Sequence, residues 1–254
     1  MATESKCQTN ISAIEENLVE LFKHDNEGRI FRNKEEPPNG NTTNLHFSTT
    51  SRRNKITDGI YLITVYPSGS SSHAILLLIS QNGTKFDLFE PNGKKWANNP
   101  DFYTLNVFIG NKNQKINTDL SPIFSLNSSE SCGIWGIVIS ILLNKVAIGE
   151  LLEEDKMFFY QFLNKSKETG EVFIATIKKK FFVTGKGNYE SISNVSKLVE
   201  NIKTLIVEKI NEEKNKNTRG AEQLGGNKKK RNKKTNKKKR NKKRSKTNKK
   251  KIKN

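Results

Sequence analysis

The chain has 254 residues and a formal net charge of +19, but this charge is concentrated at one end. Residues 227–254 contain 18 of the 45 Lys and Arg and no Asp or Glu, which leaves 27 basic and 26 acidic residues in the remainder. The basic character therefore belongs to an appendage, which excludes a fold that is basic throughout.

Cysteine usage and hydropathy further narrow the class of protein. Cys7 and Cys132 are too few for a disulfide framework and match no zinc spacing, which indicates a reducing compartment. The start, MATESKCQTN, lacks the apolar core of a signal peptide. The longest apolar run, 134–143, is too short to span a bilayer. We expect a soluble intracellular protein with no metal or other cofactor.

The N-terminal region is predicted to cover residues 1–57. Residues 11–24, ISAIEENLVELFKH, place apolar side chains at helical spacing and predict an amphipathic helix. Residues 25–58 are polar and rich in turn formers, so we expect an irregular connector there.

The main domain is predicted over residues 58–212. Strands are expected at 60–66, 74–80, 85–90 and 105–109, and helices at 132–147, 154–164 and 191–211. Strands that cluster early and helices that cluster late indicate an α+β fold with one core. Trp96 and Trp135 are interpreted as core or pocket-wall aromatics. Residues 213–254 are rich in Lys and Asn, cannot bury enough apolar surface to fold, and are predicted to be disordered.

The Asn82-Gly83 pair between the second and third strands predicts a two-residue hairpin loop. In that hairpin Gln81 pairs with Thr84, and the numbers of paired residues sum to 165. This register decides which side chains of the two strands meet.

His73, at the start of the second strand, then shares a face of the sheet with Glu90 and Asn92. Their Cβ atoms are expected about 5 to 7 Å from that of His73, whereas Asp87 points to the other face. A histidine that is oriented by a carboxylate or an amide is suited to act as a general base. The residues alone leave Glu90 or Asn92 open as the partner, and an ordinary surface histidine is the alternative.

Cys132 begins the long apolar helix in SSESCGIWGIVISILL. A helix N-terminus lowers the pKa of a thiol, and Ser128, Ser129 and Glu130 are suitable capping residues. Gly133 allows a substrate backbone to approach, and the N–H groups of the first turn are available to an oxyanion. A packed core cysteine is the alternative, but an oriented histidine in the same chain favours a nucleophile.

The order His73, Glu90, Cys132 in HAILLLISQNGTKFDLFEPNG and SESCGIWG resembles the adenain family of adenovirus-type maturation proteases. The wider clan of that family includes SUMO-deconjugating proteases and YopJ-type effector acetyltransferases. The resemblance covers about residues 58–165 and is most specific in LFEPNG and in the Cys-Gly-hydrophobic helix start. It implies a small mixed sheet packed on a central helix that begins at the nucleophile. It assigns His73 as general base, Glu90 as its orienter and Cys132 as nucleophile, with Asn92 left as the alternative orienter.

Two positions depart from the family pattern. Ala74 follows His73, where relatives usually carry Trp. The Gln that the family places shortly before the nucleophile, as an oxyanion donor, is missing from Ser125-Leu126-Asn127. Asn127 or Ser125 is then the candidate donor, beside the N–H groups of Cys132 and Gly133.

The resemblance implies a cysteine endopeptidase that works through a thioester. More narrowly, it implies a viral or virus-like maturation protease that cleaves precursor proteins during particle assembly, in the host cytoplasm or nucleus or in the virion. DNA or a peptide is the expected activator. One alternative is a YopJ-type acetyltransferase with the same triad, to which SSESCGI is also similar. The other is a degenerate protease fold that serves as a nucleic-acid-binding particle protein, which the missing Gln and the basic tail favour.

The basic tail is predicted to bind nucleic acid without sequence preference, because it offers cations for phosphates and no aromatic rings for stacking. A nuclear-import or solubilising role is the alternative. The predicted contacts are Lys228, Lys229, Lys230, Arg231, Lys237, Lys238, Lys239, Arg240, Lys242, Lys243 and Arg244.

Overall fold

The computed structural model describes residues 2–23, 30–34, 44–48, 58–65, 73–98, 104–109, 112–126, 131–183, 189 and 191–218. The chain divides into two compact units, Met1–Ile210 and Asn211–Asn254. In the second unit the described residues, 211–218, are helical. The prediction of a disordered tail over 213–254 is wrong at 213–218, which are helical, and residues 219–254 lie outside the described residues. The domain limits at 57/58 and 212/213 stay predictions.

The first unit has a mixed α+β composition. In chain order its elements are α1 (Ala2–Lys23), β1 (Ile30–Lys34), β2 (Asn44–Ser48), β3 (Gly59–Val65), β4 (His73–Ser80), β5 (Lys85–Phe89), α2 (Lys94–Ala97), β6 (Thr104–Ile109), β7 (Lys112–Gln114), β8 (Ile116–Asn117), α3 (Cys132–Ala147), α4 (Glu153–Leu163), α5 (Lys167–Ile177), a π-helical turn (Lys178–Val183) and α6, a helix that begins at 192 and ends at 218, past the last residue of this unit. None of the helices in the described part of the chain is long and apolar enough to cross a membrane.

The larger sheet has five strands in the order β1-β3-β4-β5-β8. β4 is antiparallel to both of its neighbours, whereas β1 with β3 and β5 with β8 are parallel pairs. β2, β6 and β7 form a second, three-stranded sheet. The mixed sheet that the sequence predicted is therefore present, with more strands than the apolar runs alone indicated.

The register between β4 and β5 is the one that the sequence predicted. Leu76 pairs with Phe89 and Ser80 with Lys85, so paired numbers sum to 165 throughout. The loop is longer than expected, because residues 81–84 all lie outside the ladder and Gln81, Asn82 and Gly83 all have positive φ. Asp58 stabilises this left-handed turn by accepting the N–H groups of Asn82 (2.9 Å) and Gly83 (2.7 Å). A four-residue loop with the same centre preserves the register.

Two apolar clusters cover the two faces of the sheet, where the sequence predicted one core. Alternation along β4 sends Leu76 to the larger cluster and Ile75, Leu77 and Ile79 to the smaller one. The larger cluster joins the sheet to α1, α3, α4, α5 and α6. α3 is its centre, because every residue from Gly133 to Lys145 is buried. A helix that is apolar all round requires neighbours on all sides.

Several elements were not predicted. β1 and β2 lie in the stretch that we expected to be an irregular connector, so that prediction is wrong at 30–34 and 44–48. β1 pairs in parallel with β3, and β2 pairs in parallel with β6. These short segments have weak hydrophobic periodicity of their own, so their strand conformation depends on the pairing. α2, α5, β7 and β8 were also missed, while the predicted strands and the helices at 132–147 and 154–164 agree to within one residue at each end.

Gly93, which precedes α2, is expected to be intolerant of a side chain. Its φ is +87°, and a Cβ there would lie 2.8 Å from the carbonyl oxygen of Phe124. Gly149 is a matched control, because its φ is +77° with nothing within 4 Å. Gly93→Ala should lower the free energy of unfolding by about 2–3 kcal/mol and Gly149→Ala by about 1 kcal/mol, measured by urea titration. Equal losses would show that Phe124 does not approach Gly93.

Candidate active site

The ends of β4 and β5 bring His73 and Glu90 together. Nε2 of His73 donates to Oε1 of Glu90 at 2.8 Å, and both side chains are buried, with Glu90 0% exposed. The ladder itself ends at Leu76 and Phe89, so the contact forms just beyond the last paired residues. Asp87 instead accepts from Asn117 and pairs with Lys85, away from the histidine. The structure thus selects Glu90 from the two partners that the sequence left open.

Cys132 reaches the same histidine from the first turn of α3. Its thiol is partly exposed and is hydrogen-bonded to the imidazole of His73. Because Nε2 is committed to Glu90, Nδ1 is the ring nitrogen left to interact with the sulfur. The backbone N–H groups of Ala74 and Gly133 also lower the pKa of the thiol. The three residues form one continuous chain, Glu90–His73–Cys132.

Both pKa values in this chain shift in the direction that favours an ion pair. Burial acts against the imidazolium, but the hydrogen bonds and negative charges of Cys132 and Glu90 outweigh it and raise the pKa of His73 to about 10. Burial likewise opposes the thiolate, yet His73 and the N–H groups of Ala74 and Gly133 hold the pKa of the Cys132 thiol below its usual range. A thiolate beside an imidazolium is the reactive form of a cysteine nucleophile.

Asn92, the alternative orienter, contacts Glu90 through its main chain. Its N–H donates to Oε1 of Glu90 at 2.7 Å, the same oxygen that His73 contacts. The main-chain N–H of Glu90 in turn donates to the hydroxyl of Ser121 at 3.0 Å. Ser121 was missed from the sequence, because its distance from Glu90 along the chain gives no local signal.

Trp96, on α2, lies beside the histidine. The two ring centroids are 6.2 Å apart with the planes inclined at 50°. The residue after His73 is Ala74, so the aromatic neighbour of this imidazole comes from a different element. Trp135 is fully buried in the larger cluster, which confirms its interpretation as a core aromatic.

Gly133 lacks a side chain where α3 packs against α1, and not, as the sequence indicated, where a substrate backbone would approach. It is buried, and a Cβ there would meet the side chain of Ile11 at 3.0 Å. The space was expected to admit a substrate backbone, but α1 occupies it. The proposed use of the Cys132 and Gly133 N–H groups as oxyanion donors stays a prediction.

Several predicted residues lie outside the described part of the chain. These include Asn127, the predicted capping residues Ser128, Ser129 and Glu130, and every tail cation from Lys228 to Arg244. Ser131 occupies the N-cap position of α3, without a side-chain hydrogen bond that caps the helix. Among the described residues, no group of three or more His, Cys, Asp and Glu side chains could hold a metal ion.

Comparisons with known proteins give little similarity. No protein-family model and no curated protein matches the chain. A solved structure described as "AvrA delL154 with IP6, CoA" matches at 14% identity and a TM-score of 0.32, over 78% of this chain and 88% of that chain. AvrA is a YopJ-family effector, but similarity of this size establishes neither a fold family nor an activity. None of the comparisons supports a viral maturation protease, a virion component or a DNA-binding protein.

The lowered pKa of Cys132 predicts how its alkylation depends on pH. In a Cys7→Ser background, the rate with iodoacetamide should fall only below the depressed pKa of the thiol, so its midpoint should lie at a lower pH than that of an ordinary cysteine. Glu90→Gln removes the carboxylate charge that favours the imidazolium, so the midpoint should rise by about one to two pH units.

Asn92→Ala is the comparison for Glu90→Gln. This variant retains the main-chain N–H that contacts Glu90, so the pH midpoint of Cys132 alkylation should move less than it does in Glu90→Gln. A larger shift in Asn92→Ala would mean that the amide side chain, and not the carboxylate, orients His73. A wild-type midpoint at the value of an ordinary thiol would contradict the ion pair itself.

Proposed function

We propose that this chain is a cysteine-dependent acyl-transfer enzyme, with Cys132 as nucleophile, His73 as general acid–base and Glu90 as the residue that orients the imidazole. The observation that supports it is the continuous chain from the buried Glu90 through the buried His73 to the partly exposed thiol of Cys132, with 2.8 Å between Oε1 and Nε2. A buried carboxylate that fixes one ring nitrogen leaves the other nitrogen to interact with the sulfur. This is the arrangement that nucleophilic catalysis by a thiol requires.

The first half of the reaction forms a thioester. The thiolate of Cys132 adds to the carbonyl carbon of the acyl donor, and a carbon–sulfur bond forms as the carbonyl oxygen becomes an oxyanion. When the oxyanion collapses, the bond to the leaving group breaks, and the leaving group takes the proton from Nδ1 of His73. The acyl group then rests on Cys132, and His73 is neutral.

The second half transfers the acyl group to an acceptor. Neutral His73 removes a proton from the acceptor as that acceptor attacks the thioester, and the thiolate leaves. Glu90 favours the imidazolium in both halves, because its charge lies against the same ring. The N–H groups in the first turn of α3 have no intrahelical acceptor, so those of Cys132 and Gly133 can stabilise the oxyanion.

Two acyl donors suit this chemistry. A peptide carbonyl with water as acceptor gives an endopeptidase, which is what the resemblance to adenain implies. Acetyl-CoA with a protein hydroxyl or amine as acceptor gives an acetyltransferase, and the SSESCGI stretch resembles that group as well. Both reactions require the same three residues, so the donor has to be decided by experiment. Maturation of viral precursors is the narrower form of the first reading and rests on the sequence resemblance alone.

Cys132→Ser is the variant that tests the nucleophile. It should abolish product formation with either donor, by on the order of 10⁴-fold or more, because serine does not ionise near neutral pH. The assay incubates the protein with a peptide library in one arm and with acetyl-CoA plus the same peptides in the other, and follows both by mass spectrometry. An acetylated Cys132 or acetylated peptides indicate the transferase, and shortened peptides indicate the protease.

Cys7→Ser is the matched control, since it removes the other cysteine and should retain activity. Circular dichroism should show that Cys132→Ser remains folded, because oxygen and sulfur are similar in size. Product formation by Cys132→Ser at the wild-type rate in either arm would remove the acyl-transfer proposal.

The basic tail is proposed to tether the enzyme to nucleic acid. Its 18 cations within residues 227–254 exceed what a short import signal needs. If about eight of them contact duplex phosphates, the logarithm of the affinity should fall with the logarithm of the salt concentration at a slope of roughly −7. Deleting residues 227–254 should abolish this binding across a salt series. A truncated protein that binds DNA with the same slope would show that the near-neutral body makes the contact.

A further inference from the structure

Ser121 lies outside the triad but holds the main chain of one of its members. Its side chain is 2% exposed. The hydroxyl accepts the N–H of Glu90 at 3.0 Å and donates to the carbonyl oxygen of Leu88 at 2.8 Å. One small group therefore contacts a main-chain acceptor near the end of the ladder, at Leu88, and a main-chain donor just beyond the end of β5, at Glu90.

The segment that carries Ser121 also fixes the turn after Glu90. We call residues 121–126 the strap. The N–H of Lys94 donates to the carbonyl of Pro122 at 2.8 Å, and the N–H of Leu126 donates to the carbonyl of Pro91 at 2.8 Å. The strap thus runs alongside the turn that contains Pro91 and Gly93 and hydrogen-bonds to it at several points.

The same strap reaches the helix of the nucleophile. Nε1 of Trp135, on α3, donates to the carbonyl oxygen of Leu126 at 3.1 Å. One end of the strap therefore holds Glu90 and the other end holds α3, one turn after Cys132. The relative position of the carboxylate and the sulfur depends on this short segment.

We propose that Ser121 is a positioning residue, whose hydroxyl fixes the main chain of Glu90 so that the carboxylate meets His73. The proposal rests on the proposed acyl-transfer function and adds a residue to it. A hydroxyl is required because the site needs an acceptor and a donor in the same small space. Alanine there would leave a buried N–H and a buried carbonyl without partners, which favours movement of the Glu90 main chain.

A purely structural role for Ser121 predicts a different result from a positioning role. A serine that only stabilises the strand end lowers the melting temperature when it is replaced and leaves the chemistry of Cys132 alone. A serine that positions Glu90 changes the alkylation of Cys132, because Glu90 and Cys132 are the two titratable groups that act on His73. The pH profile of alkylation therefore separates the two roles.

The experiment compares Ser121→Ala, Ser121→Thr and Ser140→Ala in the Cys7→Ser background. Ser121→Ala should move the midpoint for alkylation of Cys132 by iodoacetamide upward by about one pH unit, which makes alkylation about tenfold slower at pH values below that midpoint. Ser121→Thr retains the hydroxyl and should restore most of the wild-type profile. Ser140 is a matched control, because its buried hydroxyl only donates to Ile137 within α3, so Ser140→Ala should leave the profile unchanged.

A Ser121→Ala profile that superimposes on that of the wild type overturns the proposal. If Ser121→Ala does not fold, hydrogen exchange of the Glu90 amide in the wild-type protein tests the contact instead. That amide must exchange slowly if Ser121 accepts its N–H. Exchange at the rate of an exposed amide overturns the proposal. Failure of the proposed function looks different, because wild-type Cys132 would then react as an ordinary thiol. In that case the exchange of the Glu90 amide still decides whether Ser121 holds it.

Discussion

The candidate active site depends on one buried contact, the 2.8 Å hydrogen bond between Nε2 of His73 and Oε1 of Glu90. A carboxylate with no solvent exposure is costly unless it is hydrogen-bonded and paired. Here it is both, because the histidine and the N–H of Asn92 meet the same oxygen. The imidazolium that this carboxylate stabilises in turn favours the thiolate of Cys132. The charges of three residues are thus linked, and a change at Glu90 is transmitted to the sulfur.

Most of the surrounding structure keeps this contact in place. The ladder between β4 and β5 sets the distance from His73 to Glu90. Ser121 accepts the main-chain N–H of Glu90, and the N–H of Asn92 donates to its carboxylate. Cys132 is held separately, by a helix that is buried on all sides in the larger apolar cluster. The strap joins these two parts through its hydrogen bond with Trp135. The precision of the site therefore comes from hydrogen bonds at strand ends, and its stability comes from the packing of α3.

The part of the site that the sequence predicts is the part that depends on periodicity. A turn signal at Asn82-Gly83 fixes which residues pair, and alternation then brings His73 to Glu90, even though the loop itself is longer than predicted. The start of α3 at Cys132 follows in the same way from an apolar run. Contacts made by loops have no such signal: neither Ser121 nor the approach of Trp96 to His73 can be read from spacing. The short strands β1 and β2 were missed for a related reason: their conformation depends on pairing with strands that are distant in the sequence, and their own residues carry no clear pattern.

The fold also assigns a different use to a residue that the sequence singled out. Gly133 was expected to make room for a substrate, but the space in front of it is filled by Ile11 of α1. A glycine in the first turn of the helix that carries Cys132 can thus serve helix packing, and the sequence alone does not distinguish this use from making room for a substrate.

The most direct test is the titration of His73 by NMR of the labelled imidazole. A raised pKa keeps the ring charged, and it contributes stability that is fully present below about pH 6.5 and is lost as the pH rises through the folded value. We predict that His73 remains protonated through neutral pH and titrates near pH 10, and that Glu90→Gln lowers this value. A His73 resonance that titrates near 6.5 and does not respond to Glu90→Gln would contradict the linked Glu90–His73–Cys132 chain.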